Sequence, residues 1–250
     1  MPSKLMDPSY LELLKPSPGK AADFARQILA TTASRLLRPF SELYVLDVGC
    51  GHGATALELA RHCRHVVGLE PGRTLYESGL RLLAERPVGN IELRHARIEE
   101  LDAEDRYDLV VLDNVFEHLP DQEAALTILS RALLPGGVMY ILTPNKLWPV
   151  EAHYGLPFLG WLPLRWANAY LRLSGRGTDY TDASYAPTYG RIRRLFAAHP
   201  ELRFSFVLPA NLSLSYGGVP FHYRVGVALI RRFPSLWRIS KSLVVLAWKE

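Results

Sequence analysis

The sequence predicts an α/β fold, a doubly wound and mostly parallel sheet of seven strands covered by helices. Three observations carry that expectation. Short β-rich runs alternate with segments of helical spacing. The first such run opens into glycines at alternate positions and then into helix formers. Runs such as Leu109-Val-Val-Leu112 are apolar at every position, as strands buried on both faces are.

Taken in order, Phe24, Ile28, Leu29, Leu36 and Leu37 give a helix over 21–37 that Pro39 stops. Tyr44 to Val48 is the first strand, Gly49-Cys-Gly-His-Gly53 the turn after it, and Ala54 to Cys63 a helix. His65 to Leu69 is a strand, Thr74 to Glu85 a helix, and Ile91 to His95 and Asp108 to Leu112 are further strands. Asp121 caps a helix running to Leu134, because its carboxylate can accept from the free amides of a first turn. Pro135-Gly136-Gly137 then ends that helix, and Val138 to Thr143 is the fifth strand. Helical spacing returns at 187–198, Phe204 to Leu208 is a strand, a basic helix runs from about Arg224 to Phe233, and Ser242 to Trp248 is the last strand.

A chain of 250 residues, 48% hydrophobic and 22% charged, can bury one large core, so residues 1–250 are expected to form a single domain. Two excursions interrupt it: an aromatic, proline-rich insertion at 146–186 and a basic segment at 209–240 before the last strand. The opening residues are polar and proline-broken, which gives no secretory signal and makes a cytoplasmic location the expectation. The apolar stretches fall well short of the roughly 20 residues needed to cross a bilayer. Cys50 and Cys63 form neither a disulfide framework nor a zinc spacing, and no metal is expected.

The net charge of +4 conceals an asymmetry. Residues 1–145 hold 15 Lys/Arg against 20 Asp/Glu, while residues 146–250 hold 14 against 5. A basic half of this kind is either a solvated surface or a face for an anionic partner, and the two readings have about even standing.

The chemistry is concentrated in Val45-Leu-Asp-Val-Gly-Cys-Gly-His-Gly53. Side chains in place of the glycines would keep a ligand off the backbone, and the following helix start offers free amides. Glu70 stands at the end of the second strand, about 20 residues on, where a carboxylate can accept both hydroxyls of a ribose. An adenosine-containing ligand fits this pairing better than a purely structural turn does.

With these motifs, Tyr107-Asp-Leu-Val-Val-Leu-Asp-Asn-Val-Phe-Glu-His-Leu-Pro120 and Leu133-Leu-Pro-Gly-Gly137, the chain resembles class I S-adenosylmethionine-dependent methyltransferases. The likeness is to the group that includes ubiquinone-biosynthesis and sugar-tailoring enzymes, and it is good over residues 40–145. It implies a Rossmann-like fold with S-adenosylmethionine as donor and S-adenosylhomocysteine as product. By the same resemblance Asp47, Gly49, Cys50, Gly51 and Gly53 face the methionine moiety. Glu70 and Pro71 lie at the ribose, and Asp113 and Asn114 beside the methionine end. Family members often meet the adenine through an acidic residue after the third strand; here Arg97 departs from that pattern, so the Ile98 backbone is the expected contact.

The resemblance implies O-methylation of a small-molecule, sugar or lipid-linked acceptor. His118 is the first candidate for the base that a hydroxyl acceptor needs, and His153 the second. For His118, hydrogen bonding that fixes the loop before Pro120 is slightly preferred; for His153, packing within an aromatic insertion ranks above catalysis. The insertion sits where an acceptor lid belongs, and its apolar run 156–163 with Arg165, Arg172, Arg176, Arg191, Arg193 and Arg194 is compatible with peripheral contact to anionic membrane, at its inner face. An RNA-directed methyltransferase using the basic half ranks lower, since no RNA-binding module is visible. A non-catalytic nucleotide-binding protein and an NAD-dependent dehydrogenase are the remaining alternatives; Asp47 and the Glu117-His118 element speak against the dehydrogenase.

Overall fold

A computed structural model describes residues 17–211 and 221–250. Its strands are β1 (Tyr44–Val48), β2 (His65–Leu69), β3 (Ile91–Arg94), β4 (Tyr107–Asp113), β5 (Leu133–Pro144), β6 (Leu202–Phe206) and β7 (Ser242–Lys249). The described helices are α1 (Pro18–Thr32), α2 (Ala54–Ala60), α3 (Arg73–Glu85), α4 (Gln122–Ala132), α5 (Leu164–Leu173), α6 (Tyr189–Ala197) and α7 (Phe221–Arg232). One sheet of seven strands runs in the order β3-β2-β1-β4-β5-β7-β6. The first five strands pair in parallel, and β7 runs antiparallel to both β5 and β6. The expected α/β architecture is the one observed.

Period-two alternation explains why both faces are buried. Leu46, Val67, Val110, Leu112, Met139, Ile141 and Val245 join one core, and Val45, Val66, Leu109, Val111, Val138, Tyr140 and Val244 the other. Burying each such side chain contributes roughly 1.5–3 kcal/mol. The order reverses between β1 and β4, so their outgoing loops leave in opposite directions and open a crevice at the carboxyl edge, where ligands bind in sheets of this kind.

Several boundaries differ from expectation for local reasons. α1 begins at Pro18, with Ser17 accepting from the Lys20 amide, and stops at Thr32 rather than Leu37. The Thr31 and Thr32 hydroxyls turn back onto the Gln27 and Ile28 carbonyls at 2.7 and 2.9 Å, and Leu37 is left 81% exposed. Asp121 caps α4 as expected, accepting from the Ala124 amide at 3.0 Å. However, Pro135-Gly136-Gly137 does not end that helix. α4 stops at Ala132 because Leu133 turns extended, and the proline-glycine run lies inside β5. Tyr107 pairs with Leu133 and Leu109 with Val138, so the surplus residues form a bulge, and Gly136 takes φ +76 within it. β6 starts at Leu202, two residues before the expected Phe204, where it meets Lys249 of β7.

The segment 146–186 contains α5 and a small cluster of its own, in which Tyr154, Leu156, Leu159, Ala167, Leu171 and Tyr180 are buried. In the second excursion, α7 accounts for the expected basic helix, while residues 212–220 lie outside the described residues. No described helix is long and apolar enough to cross a membrane.

Candidate functional site

The carboxyl ends of β1, β2 and β4 bring most of the expected residues to one place. Gly49 leaves β1 at φ +64, and a Cβ there would lie 2.6 Å from Val115 Cγ2. Gly51, at φ +56, has nothing within 4 Å of the space a Cβ would take, so its backbone faces an open cradle. Glu70 closes the turn from the neighbouring strand. Its Oε2 accepts from the Gly51 amide at 2.9 Å and its Oε1 from the Gly72 amide at 2.7 Å. Each carboxylate oxygen can accept a second hydrogen bond, which keeps both available to a diol.

Asp47, Glu70 and Asp113 share this region, and their ionisation reports it. Burial, then the charges of Asp113 and Glu70, push the Asp47 carboxyl up to about 8. Burial raises Asp113 to about 6, against an opposing hydrogen bond from Asn114 Nδ2 at 2.7 Å. Burial raises Glu70 as well, less the effect of the Gly72 and Gly51 amides. Carboxyls that resist ionisation together favour a cation among them. Asn114 adopts φ +55 and donates its amide to the Leu142 carbonyl, a left-handed position that asparagine tolerates.

The outer parts of the expected site are less engaged. Pro71 lends its carbonyl to the His95 ring at 3.1 Å. The Arg97 side chain is 67% exposed and pairs with Glu99 at 3.5 Å, whereas Ile98 is buried in the core beside the sheet. Cys50 donates its amide to the Leu69 carbonyl, and burial with the nearby Asp47 and Glu70 charges raises its thiol well above the usual range, so it remains protonated.

His118 and His153, from different loops, meet edge to face with ring centroids 5.0 Å apart. His118 Nδ1 lies 2.7 Å from the Asp182 carbonyl, which ties the loop after β4 to the 146–186 segment as the loop-fixing reading expects. Burial holds its imidazole below the usual range, hence neutral at pH 7. His153 Nδ1 lies 2.8 Å from Glu151 Oε1, and Glu151 Oε2 accepts the His153 and Tyr154 amides. Glu117 is fully buried; Thr143 donates to its Oε2 at 3.1 Å, while its Oε1 has no hydrogen-bond partner among the described residues. Burial pushes this carboxyl up to about 7, with Asp113 adding to the rise, so the histidine cluster adjoins the acidic cradle.

Glu151 and Thr143 were not anticipated from the sequence. The acid-x-histidine spacing at Glu151 and His153 was the available signal, but proximity to Glu117-His118 exists only in the fold.

A methyltransferase-domain family model matches residues 21–184. The ubiquinone biosynthesis O-methyltransferase of Bradyrhizobium sp. is 35% identical over 136 residues, covering 52% of this chain and 52% of that protein. That of Paramagnetospirillum magneticum is 37% identical over 131 residues, 51% of this chain and 52% of the relative. The chain thus spans about half the length of the curated relatives it matches. Among solved structures, an S-adenosylmethionine dependent methyltransferase from Mesorhizobium loti superposes with TM-score 0.57 at 17% identity, over 92% of this chain and 99% of that one. The plantazolicin methyltransferase BpumL, solved in complex with SAH, gives TM-score 0.60 at 14% identity, over 97% of this chain and 88% of the other. At such identities the likeness is one of fold.

Proposed function

The chain belongs to the methyltransferase-domain family, and on that premise we propose that it transfers a methyl group from S-adenosylmethionine to an oxygen of a small-molecule, sugar or lipid-linked acceptor. One observation carries the donor assignment: the open glycine turn at Gly51 is bordered by Glu70, and beside it burial raises Asp47, Glu70 and Asp113 alike, with the charges of Asp113 and Glu70 adding to the rise of Asp47. A ligand bearing sulfonium and ammonium charges offsets that rise, and the open face of Gly51 leaves room for it. When bound, S-adenosylmethionine would supply an electrophilic methyl for in-line attack by the acceptor oxygen, the oxygen–carbon bond forming as the carbon–sulfur bond breaks and S-adenosylhomocysteine leaves.

The chain's own residues divide the remaining work. Glu70 holds the ribose, with Pro71 beside it. The backbone of Gly49, Cys50, Gly51 and Gly53 lies along the methionine moiety under Asp47, and Asp113 with Asn114 flanks its far end. The Arg97-Ile98 backbone takes the adenine edge. His118 and His153 form the acceptor side, where a hydroxyl must lose its proton, and residues 146–186 are the lid that aligns the acceptor and excludes water.

A second observation favours a greasy acceptor presented at an anionic lipid surface. Phe158, Trp161 and Trp166 are each 50% exposed or more, and Arg165, Arg172 and Arg176 of the same segment are exposed beside them in the chain. The chain acts from the cytoplasmic side in this reading.

The test is incubation with methyl-labelled S-adenosylmethionine and fractionated cell extract, alongside calorimetry with S-adenosylhomocysteine. Label entering a lipid, sugar or small-molecule fraction is the expected result. Label in RNA would redirect the acceptor, binding without turnover would point to a non-catalytic protein, and absence of binding would end the proposal.

A further inference from the structure

Two imidazoles and a carboxylate converge beside the acidic cradle. Glu117 comes from the 3-10 turn Phe116–His118 after β4, as does His118, whereas His153 comes from the 146–186 segment. One ligand-capable atom of each lies within 4.8 Å of the others.

The hydrogen bonds behind these groups fix which ring nitrogens can act as ligands. The Asp182 carbonyl can only accept, so His118 Nδ1 carries the proton and Nε2 keeps the lone pair, 4.0 Å from Glu117 Oε1. The Glu151 carboxylate likewise sets His153 Nδ1 as a donor, which makes Nε2 the ligand-capable nitrogen of that ring. Anchoring one ring nitrogen on a carbonyl or carboxylate while the other points inward is how metal-binding histidines are held. Glu117 supplies the independent sign. Its side chain is fully buried, its Oε2 is occupied by Thr143, and its Oε1, aimed at His118 Nε2, has no hydrogen-bond partner among the described residues. A buried carboxylate oxygen without a donor is costly unless something positive meets it.

We propose that Glu117, His118 and His153 bind one divalent transition-metal ion, Zn2+ or an ion of similar softness. The donor set of two imidazoles and one carboxylate suits such an ion rather than Mg2+ or Ca2+, which prefer all-oxygen surroundings. Adjacent ligands on a tetrahedral ion at ~2.1 Å stand about 3.4 Å apart, so the side chains must draw inward by at most about 1.5 Å. Three protein ligands leave an open position, which an oxygen of the acceptor can take. The ion then favours the ionised form of that oxygen, with the proton lost to water. This deepens the acceptor-side role proposed above and rests on it only for what the ion does; the binding itself does not.

The test uses the full chain, stripped with a chelator and titrated with Co2+ and with Zn2+ by calorimetry, with visible absorption of the Co2+ form as a second readout. One ion per chain is expected. Glu117→Gln and His153→Ala should each weaken binding 100-fold or more and abolish the Co2+ band, and Glu151→Gln should weaken it 10- to 100-fold through the released His153 ring. His62→Ala, an exposed histidine elsewhere, should change nothing. If Glu117→Gln does not fold, His153→Ala decides, since that residue lies outside the sheet. Absence of binding, or equal binding in all variants, overturns the site. S-adenosylhomocysteine affinity of the stripped protein is measured in parallel. Intact affinity without metal binding removes the metal site alone, whereas loss of nucleoside binding strikes the methyltransferase reading.

Discussion

Glu70 Oε2 accepts the backbone amide of Gly51 at 2.9 Å, joining the tip of one strand to the turn that follows its neighbour. The bond presets the turn before any ligand arrives. In the proposed reading Glu70 then serves twice, shaping the cradle and holding the sugar that enters it.

Glu70→Ala is therefore expected to weaken S-adenosylhomocysteine binding by about 2–4 kcal/mol, the scale of a lost charged acceptor with two partners. Calorimetry measures it directly. An affinity within twofold of the parent would remove Glu70 from the ribose site.

A methyl group at Gly49 meets Val115 at 2.6 Å and forces a residue other than glycine into φ +64. Gly49→Ala should cost about 2–4 kcal/mol in urea unfolding, of which roughly 1–2 is the left-handed conformation itself. Adding Val115→Ala should return the steric share and leave the conformational one. Strict additivity in this double-mutant cycle would show that the two side chains do not meet.

Because Asp47 rises to about 8 and Asp113 to about 6, both carry protons in part or whole near neutrality. A cationic donor favours their ionised forms, so its binding should release protons at pH 7 and tighten as pH climbs from 6 to 8. S-adenosylhomocysteine, which lacks the sulfonium charge, should release fewer. Calorimetry in buffers of different ionisation enthalpy counts the protons, and equal release by both ligands would contradict the acidic cradle as the cation's site.

Glu117 titrates at about 7 in the folded chain, above its ordinary 4.5. A carboxyl raised by folding contributes most to stability below about pH 4.5 and loses that contribution as pH passes 7. Metal-free Glu117→Gln should accordingly match the parent's unfolding free energy in urea near pH 5 and exceed it at pH 8, by on the order of 3 kcal/mol at most. A difference that does not change with pH would mean that Glu117 is not held in this state.

Trp161 and Trp166 are 50% and 57% exposed, so replacing both with alanine should shift the thermal midpoint by no more than a degree or two. The same change should weaken flotation with phosphatidylglycerol vesicles several-fold. Parent protein that ignores such vesicles would dispose of the lipid-surface reading and leave methyl transfer standing.

Local chemistry determined much of this molecule in the sequence itself. The exact limits of β1 and β2, the glycine turn between β1 and α2, and Glu70 at the end of β2 were legible because alternation, left-handed glycines and a strand-end carboxylate act within a few residues of chain. The Asp121 cap was legible for the same reason. Pro135-Gly136-Gly137 was not, because those residues are suited equally to stopping a helix and to bulging a strand, and only the pairing of Tyr107 with Leu133 chose between them. Tertiary structure alone brought His153, on its Glu151 support, to His118 and Glu117. Their meeting depends on how a loop after β5 folds back over a turn after β4, and no short-range spacing in the chain encodes a contact of that kind.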